Sequence, residues 1–244
     1  MPLPWLDPRN DDQPFPALHR ALSEPDGLLA AGGSLRPRRL LRAYRQGIFP
    51  WYSPVQPILW WSPNPRLVLF PEALNISRSL RKTLRNGPFT VTADTAFDAV
   101  IDACAAPRRP GTGTWITPEM RQAYCRLHRL GHAHSIETWR QGTLIGGLYG
   151  VAVGRVFYGE SMFSQASDAS KVALAALAAQ LRRWHFALID CQVRTDHLLR
   201  LGAVDIPRET FSQLLERYCP LPGQEGLWQL DDDWLTDLIS APAS

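Results

Sequence analysis

The chain has 244 residues, 45% of them hydrophobic and 20% charged, and a formal net charge of only +3. This composition is ordinary for a folded globular protein, and the small charge means that any affinity for nucleic acid must come from locally clustered cations. The N-terminus lacks an apolar run and no apolar stretch reaches about 20 residues, so we expect neither a signal peptide nor a transmembrane helix.

Residues 1–64 are rich in proline, tryptophan and glycine. RPRRLLRAYRQG predicts one short helix, with Pro37 in its first turn and Gly47 at its end. GLLAAGGSL, before this helix, is a glycine-broken apolar segment that lacks the spacing of a nucleotide-binding loop. FPWYSPVQPILWWSPNPR, at 49–66, holds five aromatic rings and five prolines. These prolines argue against a core helix or a central strand and predict a stiff, extended segment.

From about residue 65 onward, predicted strands and helices alternate. RLVLF and FTVTA predict strands on either side of a helix in ISRSLRKTLR, whose Ile76, Leu80 and Leu84 form an apolar stripe. DTAFDAVIDACAA predicts the next helix, and Asp94 or Thr95 is its expected cap because both residue types accept hydrogen bonds from the first-turn amides.

TPEMRQAYCRLHRLG is the clearest helix of the chain, with Thr117 as its cap, Pro118 at its first position and Gly131 at its end. Three strands separated by short turns follow and predict an antiparallel meander: HSIETW, TLIGGLYGVAV and RVFYGESMF. The alanine-rich helix SDASKVALAALAAQLRRW then leads to the strand ALIDCQ. A strand–helix–strand crossover of this kind predicts that the last two strands run parallel. With short helices in TDHLLRLG and ETFSQLLERY, the order of elements predicts an α+β fold.

Cysteine and histidine spacing does not indicate a metal site. The four cysteines are far apart and form no CxxC pair, which favours a reduced, cytosolic compartment: Cys104, Cys125, Cys191 and Cys219. The histidines cluster once, in LHRLGHAH, but the helix end at Gly131 separates them and no matching ligand motif occurs. We therefore expect no bound metal.

Two acidic residues stand out by their place in apolar strands. Alternation puts four residues of RVFYGESMF on one face, Val156, Tyr158, Glu160 and Met162, and three of ALIDCQ on one face, Leu188, Asp190 and Gln192. If these strands are parallel neighbours, both acids lie toward carboxyl ends, where open sheets place their ligands. A carboxylate there needs a partner or a purpose, so a structural ion pair is as reasonable as a catalytic role.

A basic face is predicted on the helix in ISRSLRKTLR. Its cations fall at i, i+3, i+4 and i+7, opposite the apolar stripe, and no acid lies between them: Arg78, Arg81, Lys82 and Arg85. Either a solvated surface or a phosphate-binding face explains this pattern.

Eight blocks of the chain, taken in order, closely resemble leucyl/phenylalanyl-tRNA–protein transferases: GLLAAGGSL, YRQGIFPWYS, PILWWSPNPR, GTWIT, HSIETW, GESMFS, SDASK and LIDCQ. The match runs from about residue 26 to about residue 212. The resemblance implies an aminoacyltransferase that moves leucine or phenylalanine, and methionine less well, from aminoacyl-tRNA to the N-terminal Arg or Lys of an acceptor protein. This addition tags the acceptor for proteolysis.

The resemblance further implies a cytoplasmic and monomeric protein without membrane contact, and the direct chemistry of an activated ester needs no cofactor. Its fold would be a small N-terminal α/β domain, residues 1–64, followed by an N-acetyltransferase-like (GNAT) domain, residues 65–244. The second domain is expected to hold a mixed central sheet flanked by helices.

Roles for single residues follow from the same resemblance. Asp190 and Gln192 match a catalytic DxQ motif, and Glu160 lies in the GESMF block close to the reacting ester. The implied aminoacyl and adenosine pocket contains Trp51, Trp115, Tyr44, Leu148, Met162, Leu177 and Leu181. A relative carries Met at the position of Leu148 and Phe at the positions of two other leucines, so the preference between leucine and phenylalanine stays open. The implied tRNA-binding residues are Arg78, Arg81, Lys82 and Arg85.

The expected mechanism is a proton relay. Asp190 accepts a hydrogen bond from the Gln192 side-chain amide and fixes its orientation. The side-chain carbonyl of Gln192 then accepts a hydrogen bond from the attacking amine. Glu160 positions the aminoacyl group or the acceptor. Two alternatives are that Asp190 takes the proton directly or that the ribose hydroxyl of the tRNA relays it.

The rings of 49–66 have two expected roles. Rigid rings suit stacking on a base and lining an apolar slot, while Trp60 and Trp61 are also suited to joining the two domains. The alternative is that all five rings are interface core.

Two alternative functions are left open by the sequence, an acyl-CoA-dependent N-acetyltransferase and a non-catalytic RNA-binding protein. An acyl-CoA N-acetyltransferase normally has a glycine-rich loop before the helix that follows the meander, and residues 164–171 contain no glycine. A non-catalytic RNA-binding protein would show salt-dependent binding without turnover.

Overall fold

The computed structural model of the chain describes residues 3–107 and 114–239. Gly113, which opens the GTWIT block, and residues 240–244 of the acidic end lie outside the described residues. Within them, no helix is long and apolar enough to cross a membrane.

The N-terminal part forms a small four-stranded sheet beside one helix. Its strands follow the order β1-β2-β4-β3 and are β1 (Trp5–Leu6), β2 (Leu28–Gly32), β3 (Phe49–Pro50) and β4 (Leu59–Trp61). Helix α1 (Pro37–Arg45) begins at Pro37, as predicted, and Gly47 follows it with φ of 72°. The proline-rich segment turns at 54–56, and its Leu59–Trp61 forms β4 between β2 and β3. The prediction that the prolines exclude a central strand is therefore wrong, because they flank β4 and do not interrupt it. The glycine-broken segment before α1 forms the strand β2, which the sequence did not indicate.

The larger sheet has seven strands in the order β11-β5-β10-β9-β8-β7-β6. They are β5 (Arg66–Leu69), β6 (Thr90–Ala93), β7 (Ala133–Arg140), β8 (Thr143–Val153), β9 (Val156–Ser164), β10 (Leu188–Gln192) and β11 (Val204–Ile206). The predicted meander is β7-β8-β9, and β10 pairs with β9 in parallel, as the crossover predicted. The mixed α+β class is therefore confirmed.

Helices cover both faces of this sheet. They are α2 (Arg78–Asn86), α3 (Phe97–Ala105), α4 (Pro118–Arg129), α5 (Ala169–Arg183), α6 (Asp196–Arg200), α7 (Arg208–Tyr218) and α8 (Thr236–Ile239). One apolar cluster joins α1, α3, α4 and α7 to the N-terminal sheet, and a second lies between the large sheet, α2 and α5. Helix α5 starts directly on β8, because a Cβ at Gly146 would lie 2.5 Å from that of Ala169.

Asp94 is not a helix cap, contrary to the prediction. Helix α3 begins at Phe97, three residues later, with Ala96 at the cap position, so neither Asp94 nor Thr95 caps it. The Asp94 carboxylate instead accepts the amides of Ser135 (2.9 Å) and Trp228 (2.7 Å), and it lies 2.7 Å from Nδ1 of His134. These long-range partners engage both carboxylate oxygens of Asp94. The local sequence pattern, which predicted a helix cap, could not indicate them.

The acidic C-terminal end packs against the helices of the second cluster. The Trp228 ring stacks on His134 at 3.8 Å, and the backbone amide of Asp231 donates to Gln180 of α5. Arg183 pairs with Asp231 at 2.9 Å, and Leu238 is buried. This end therefore belongs to the core on the α5 side of the sheet.

Candidate active site

A cavity of about 500 Å³ opens at the edge where β9 and β10 stop pairing. Their ladder ends at the pair Tyr158–Asp190, although β9 continues to Ser164. The residues that follow the ladder on both strands line the cavity: Gly159, Glu160, Ser161 and Met162 on β9, and Cys191 and Gln192 on β10. This is the carboxyl end of a parallel pair, where the sequence predicted a ligand site.

Three walls complete the cavity. The apolar wall comes from β8, β9 and α5 and contains Leu148, Met162, Leu174 and Leu177. The aromatic wall comes from the N-terminal part and the start of α4 and contains Phe49, Pro50, Trp51 and Trp115. A third wall is formed by Val193, Thr195 and, on helix α6, His197 and Leu198. The cavity is therefore an apolar slot with polar groups at one end.

Glu160 is the polar centre of the site. Its Oε1 accepts hydrogen bonds from the Tyr44 hydroxyl (2.8 Å) and from Nε2 of Gln192 (2.9 Å), and its Oε2 accepts one from the Tyr124 hydroxyl (2.6 Å). Burial raises the pKa of Glu160 to about 7; the three hydrogen bonds oppose this rise and the charge of Asp190 adds to it. A carboxyl group with this pKa exchanges a proton readily near neutral pH.

A β-bulge directs Glu160 away from the slot's apolar wall. In the β8–β9 ladder Tyr149 pairs with Ser161 and Gly150 with Gly159, so Glu160 has no partner opposite it. The extra residue resets the alternation of β9. Met162 therefore packs on the α5 side, although Tyr158 and the partners of Glu160 lie on the other side. The prediction that Met162 shares a face with Tyr158 and Glu160 is therefore wrong, because the bulge intervenes.

Asp190 is fully buried in an ion pair. Its Oδ1 and Oδ2 accept from Nε (2.7 Å) and Nη2 (2.6 Å) of Arg66. The Arg66 guanidinium also donates to the Gly47 carbonyl at 3.1 Å and lies between the rings of Phe49 and Phe211, 4.8 Å from each. No cavity-facing oxygen of Asp190 remains, so the structural ion pair left open by the sequence is present.

The predicted bond from the Gln192 side chain to Asp190 is wrong. The Gln192 side-chain amide donates to Glu160, and it is the Gln192 backbone N–H that donates to Asp190, at 2.9 Å. The ladder shifts register between these residues, and Gln192 has a φ of 63°, a left-handed conformation that is uncommon outside glycine. Asp190 therefore holds the strained backbone that turns Gln192 toward Glu160.

The structure brings most of the predicted pocket residues together. Seven of the predicted catalytic and substrate residues line the cavity: Trp51, Trp115, Leu148, Met162, Leu177, Glu160 and Gln192. Tyr44 contacts Glu160 from behind instead. Leu181 does not reach the cavity, because it lies a full helical turn beyond Leu177 in the core, and Leu174 on the preceding turn lines the cavity.

The aromatic rings of 49–66 divide between two roles. Trp51 faces the cavity with 44% of its surface exposed, and its ring lies 5.7 Å from that of Trp61. Trp60 is fully buried, donates its Nε1 to the Gly32 carbonyl and packs edge-on against Phe15. Trp60 is therefore core of the N-terminal sheet.

The basic helix α2 presents three of its four predicted cations to solvent. Arg78, Lys82 and Arg85 are exposed, and none of them pairs with an acid within 3–107 and 114–239. Arg81 differs, since it is half-buried and its Nη1 donates to the Leu238 carbonyl at 2.9 Å. The expectation of four equivalent surface cations is wrong for Arg81, because the C-terminal end covers it.

Sequence reasoning missed Arg66, Tyr124, Leu174 and His197. Arg66 and Asp190 are 124 positions apart, and nothing local in SPNPR indicates a buried partner. The sequence offered a signal for two of the others. Leu174 lies one helical turn after the SDASK block, and His197 lies five residues after the LIDCQ block.

Comparison with known proteins extends these observations. The family model of leucyl/phenylalanyl-tRNA protein transferase matches residues 68–216, and that of the same enzyme's N-terminal domain matches residues 33–64. A leucyl/phenylalanyl-tRNA–protein transferase of Aromatoleum aromaticum is 61% identical over 94% of this chain and 95% of its own. One of Nitrosomonas europaea is 59% identical over 90% and 93%.

Among solved structures, a GCN5-related N-acetyltransferase from Kribbella flavida aligns with a TM-score of 0.33 and 14% identity, over 69% of this chain and 60% of that one.

The fold and the site, with these relatives, are those of an aminoacyltransferase. An apolar slot ends at a carboxyl group able to exchange a proton, on a mixed sheet with an N-terminal domain beside it. The chain belongs to the leucyl/phenylalanyl-tRNA–protein transferase family.

Proposed function

We propose that the chain transfers leucine or phenylalanine, and methionine less well, from aminoacyl-tRNA to the α-amine of a protein that begins with Arg or Lys. The observation that carries this proposal is the pairing of Glu160 with Gln192 at the end of an apolar slot, 2.9 Å apart. The family assignment supplies the substrate class, and the slot supplies a place for an apolar side chain beside groups that handle a proton.

The donor fits the cavity in two parts. The aminoacyl side chain enters the slot between Leu148, Met162 and Leu177, where an apolar wall favours unbranched or γ-branched groups. The terminal adenosine stacks on the aromatic wall at Trp51 and Trp115. Each stacked ring contributes about 1–3 kcal/mol to binding of a single-stranded nucleic acid.

The chemistry needs position and proton transfer, because the ester is already activated. The acceptor nitrogen attacks the ester carbonyl carbon, a C–N bond forms, and the C–O bond to the ribose breaks. The proton lost by the amine is taken up by Glu160, whose pKa of about 7 suits the exchange, and a proton returns to the ribose oxygen. Gln192 orients the amine through its side-chain carbonyl, to which no described residue donates.

Asp190 acts here as a positioning residue. With both oxygens engaged by Arg66 and by the Gln192 amide, it fixes the geometry of Gln192 and does not receive the proton. Correct orientation of two reactants is worth about 7–11 kcal/mol of the barrier. A relay that ends on Glu160 uses the bonds that exist among these side chains.

The tRNA lies on the exposed cations of α2 in this proposal, Arg78, Lys82 and Arg85, while Arg81 supports the helix from the C-terminal end. We divide the chain at about residue 64, between β4 and β5, into an N-terminal domain and a catalytic domain. A monomer in the cytoplasm fits a tRNA-dependent reaction. None of the four cysteines, all within the described residues, forms a disulfide.

An acyl-CoA donor is disfavoured by the start of α5. A pyrophosphate cradle needs free backbone amides, but the amide of Ala169 donates to the Ala166 carbonyl and that of Ser170 to Ser164 Oγ.

The deciding experiment measures transfer of labelled leucine from leucyl-tRNA to a peptide that begins with Arg. A peptide that begins with Gly and a parallel tube with labelled acetyl-CoA serve as controls. Label on the Arg peptide alone supports the proposal. Acetylation would move the chain to the CoA-dependent transferases, and RNA binding without turnover in either tube would leave a binding protein.

A further inference from the structure

One basic side chain outside α2 lines the cavity, and two others lie one helical turn from residues that line it. His197 lines the cavity from α6, Arg200 follows one turn later, and Lys171 lies in the first turn of α5. Burial, and then the charges of Lys171 and Arg200, lower the pKa of His197 and favour its neutral imidazole. A neutral imidazole still donates one hydrogen bond.

Helix α2 is attached to both of the elements that carry these groups. Before its first turn, Asn75 donates its backbone amide to the Leu201 carbonyl (2.9 Å) and its side chain to the Arg200 carbonyl (3.2 Å). In its last turns, Thr83 Oγ1 lies 3.4 Å from Asp168, whose carboxylate binds Lys171 at 2.7 Å. Helix α2 therefore lies beside the elements that carry Lys171, His197 and Arg200.

The positive charge of this surface comes from Arg200 and the exposed cations of α2, because Asp168 balances Lys171 and Asp196 precedes His197 on α6. Across the described ranges, no acid pairs with Arg200, and Asp168 is the partner recorded for Lys171. The whole chain has a net charge of only +3, so such a concentration is local. A cationic acceptor N-terminus is repelled here, whereas a phosphodiester backbone, with one negative charge per nucleotide, is attracted.

We propose that Lys171, His197 and Arg200 hold the sugar-phosphate backbone of the single-stranded 3′ end of the donor tRNA. This segment has to cross from the duplex held at α2 to the aminoacyl group in the cavity, and these groups lie between the two. The inference rests on the proposed function, because it assigns a further subsite for the same substrate. His197 contributes a hydrogen bond, and the other two contribute charge.

The test compares two donors, leucyl-tRNA and leucyl-adenosine, which keeps the ester but has no phosphate. Arg200→Gln should raise KM for leucyl-tRNA roughly two- to fivefold, as expected for an exposed ion pair. It should also lower the slope of log KM against log salt by about 0.7, the value for one contact to a single strand. Neither kcat nor the reaction of leucyl-adenosine should change. Lys171→Gln should also raise KM for leucyl-tRNA but not for leucyl-adenosine, because it removes a cation and leaves the Asp168 carboxylate without its partner.

The matched control is Arg217→Gln. Arg217 is an exposed helical arginine on α7 beside Tyr218, whose carbonyl accepts the amide of Arg155, just before β9 begins. This variant should leave KM for both donors, and the salt dependence of KM for leucyl-tRNA, unchanged.

Equal effects of Arg200→Gln on both donors would overturn the inference, because the residue would then shape the cavity and not hold phosphate. No effect on either donor would also overturn it and would make these side chains a solvated surface. Arg200→Lys, which keeps the charge, should restore most of the affinity and so excludes a folding defect. A wild-type chain that transfers leucine from neither donor would instead overturn the proposed function, and this inference with it.

Discussion

Replacement of Glu160 by glutamine should make the protein more stable in alkaline buffer and far less active. Glutamine keeps the shape of the side chain but removes the charge that burial disfavours. In the folded protein the pKa of Glu160 is raised from 4.5 to about 7. The folded state therefore binds the proton more tightly than the unfolded chain, and wild-type stability falls as the pH rises between these two values.

The size of the effect follows from that shift. A difference of about 2.5 pKa units corresponds to about 3 kcal/mol, lost fully above the folded-state pKa. The difference in free energy of unfolding between wild type and Glu160→Gln should thus move by about 3 kcal/mol in favour of the variant from pH 4.5 to pH 8. Urea denaturation at several pH values measures this difference, and any cost of the new amide that does not depend on pH cancels from it.

Activity should change in the opposite sense. Loss of a general base reduces turnover by about 10²–10⁴-fold. The wild-type rate should rise through a pKa near 7, and this limb should be absent from the variant, which retains only the titration of the acceptor amine. A stability difference that stays constant with pH, or a variant with the wild-type pH–rate profile, would refute the reasoning.

Three further predictions concern the walls and supports of the site. Asp190→Asn leaves the Arg66 charge buried without its partner and should cost about 3–5 kcal/mol of stability, measured by urea denaturation; a fully stable but inactive variant would place Asp190 in the chemistry. Leu177→Ala should enlarge the slot and raise kcat/KM for phenylalanine relative to leucine by about 10-fold, and an unchanged ratio would remove this residue from the specificity pocket. Trp51→Ala should raise KM for aminoacyl-tRNA by the factor that corresponds to a loss of about 1–3 kcal/mol of binding free energy, and it should leave Tm unchanged. Trp60→Ala should lower stability by about 3–5 kcal/mol, and the reverse pattern would make Trp51 the core residue.

The sequence predicted elements whose cause is local or periodic. Thr117 and Pro118 mark the start of α4 because the cap and the first helical position have specific chemical requirements, and Gly131 ends it. The crossover into β10 predicted the parallel pair, since a helix of that length can return the chain only to a neighbouring parallel strand. Resemblance to a family then selected ten catalytic and substrate residues, seven of which line the cavity.

The sequence could not predict contacts set by distant parts of the chain. The β-bulge at Glu160 depends on how β9 meets β8, and it changed the face on which Met162 lies. Gln192 donates to Glu160 and not to Asp190, because Arg66 had already taken the Asp190 carboxylate. Family resemblance named Glu160, Asp190 and Gln192 but not Arg66, and it did not contain the bonds between them.

The Arg66–Asp190 pair also restricts how this site can evolve. A change at either position alone leaves an uncompensated charge in the core, so a lineage must pass through a poorly folded intermediate to alter both. Because Arg66 also bonds the Gly47 carbonyl and stacks on Phe49, an altered pair would have to suit the N-terminal domain at the same time. We expect mutational drift to spare this pair even in variants whose specificity pocket has changed.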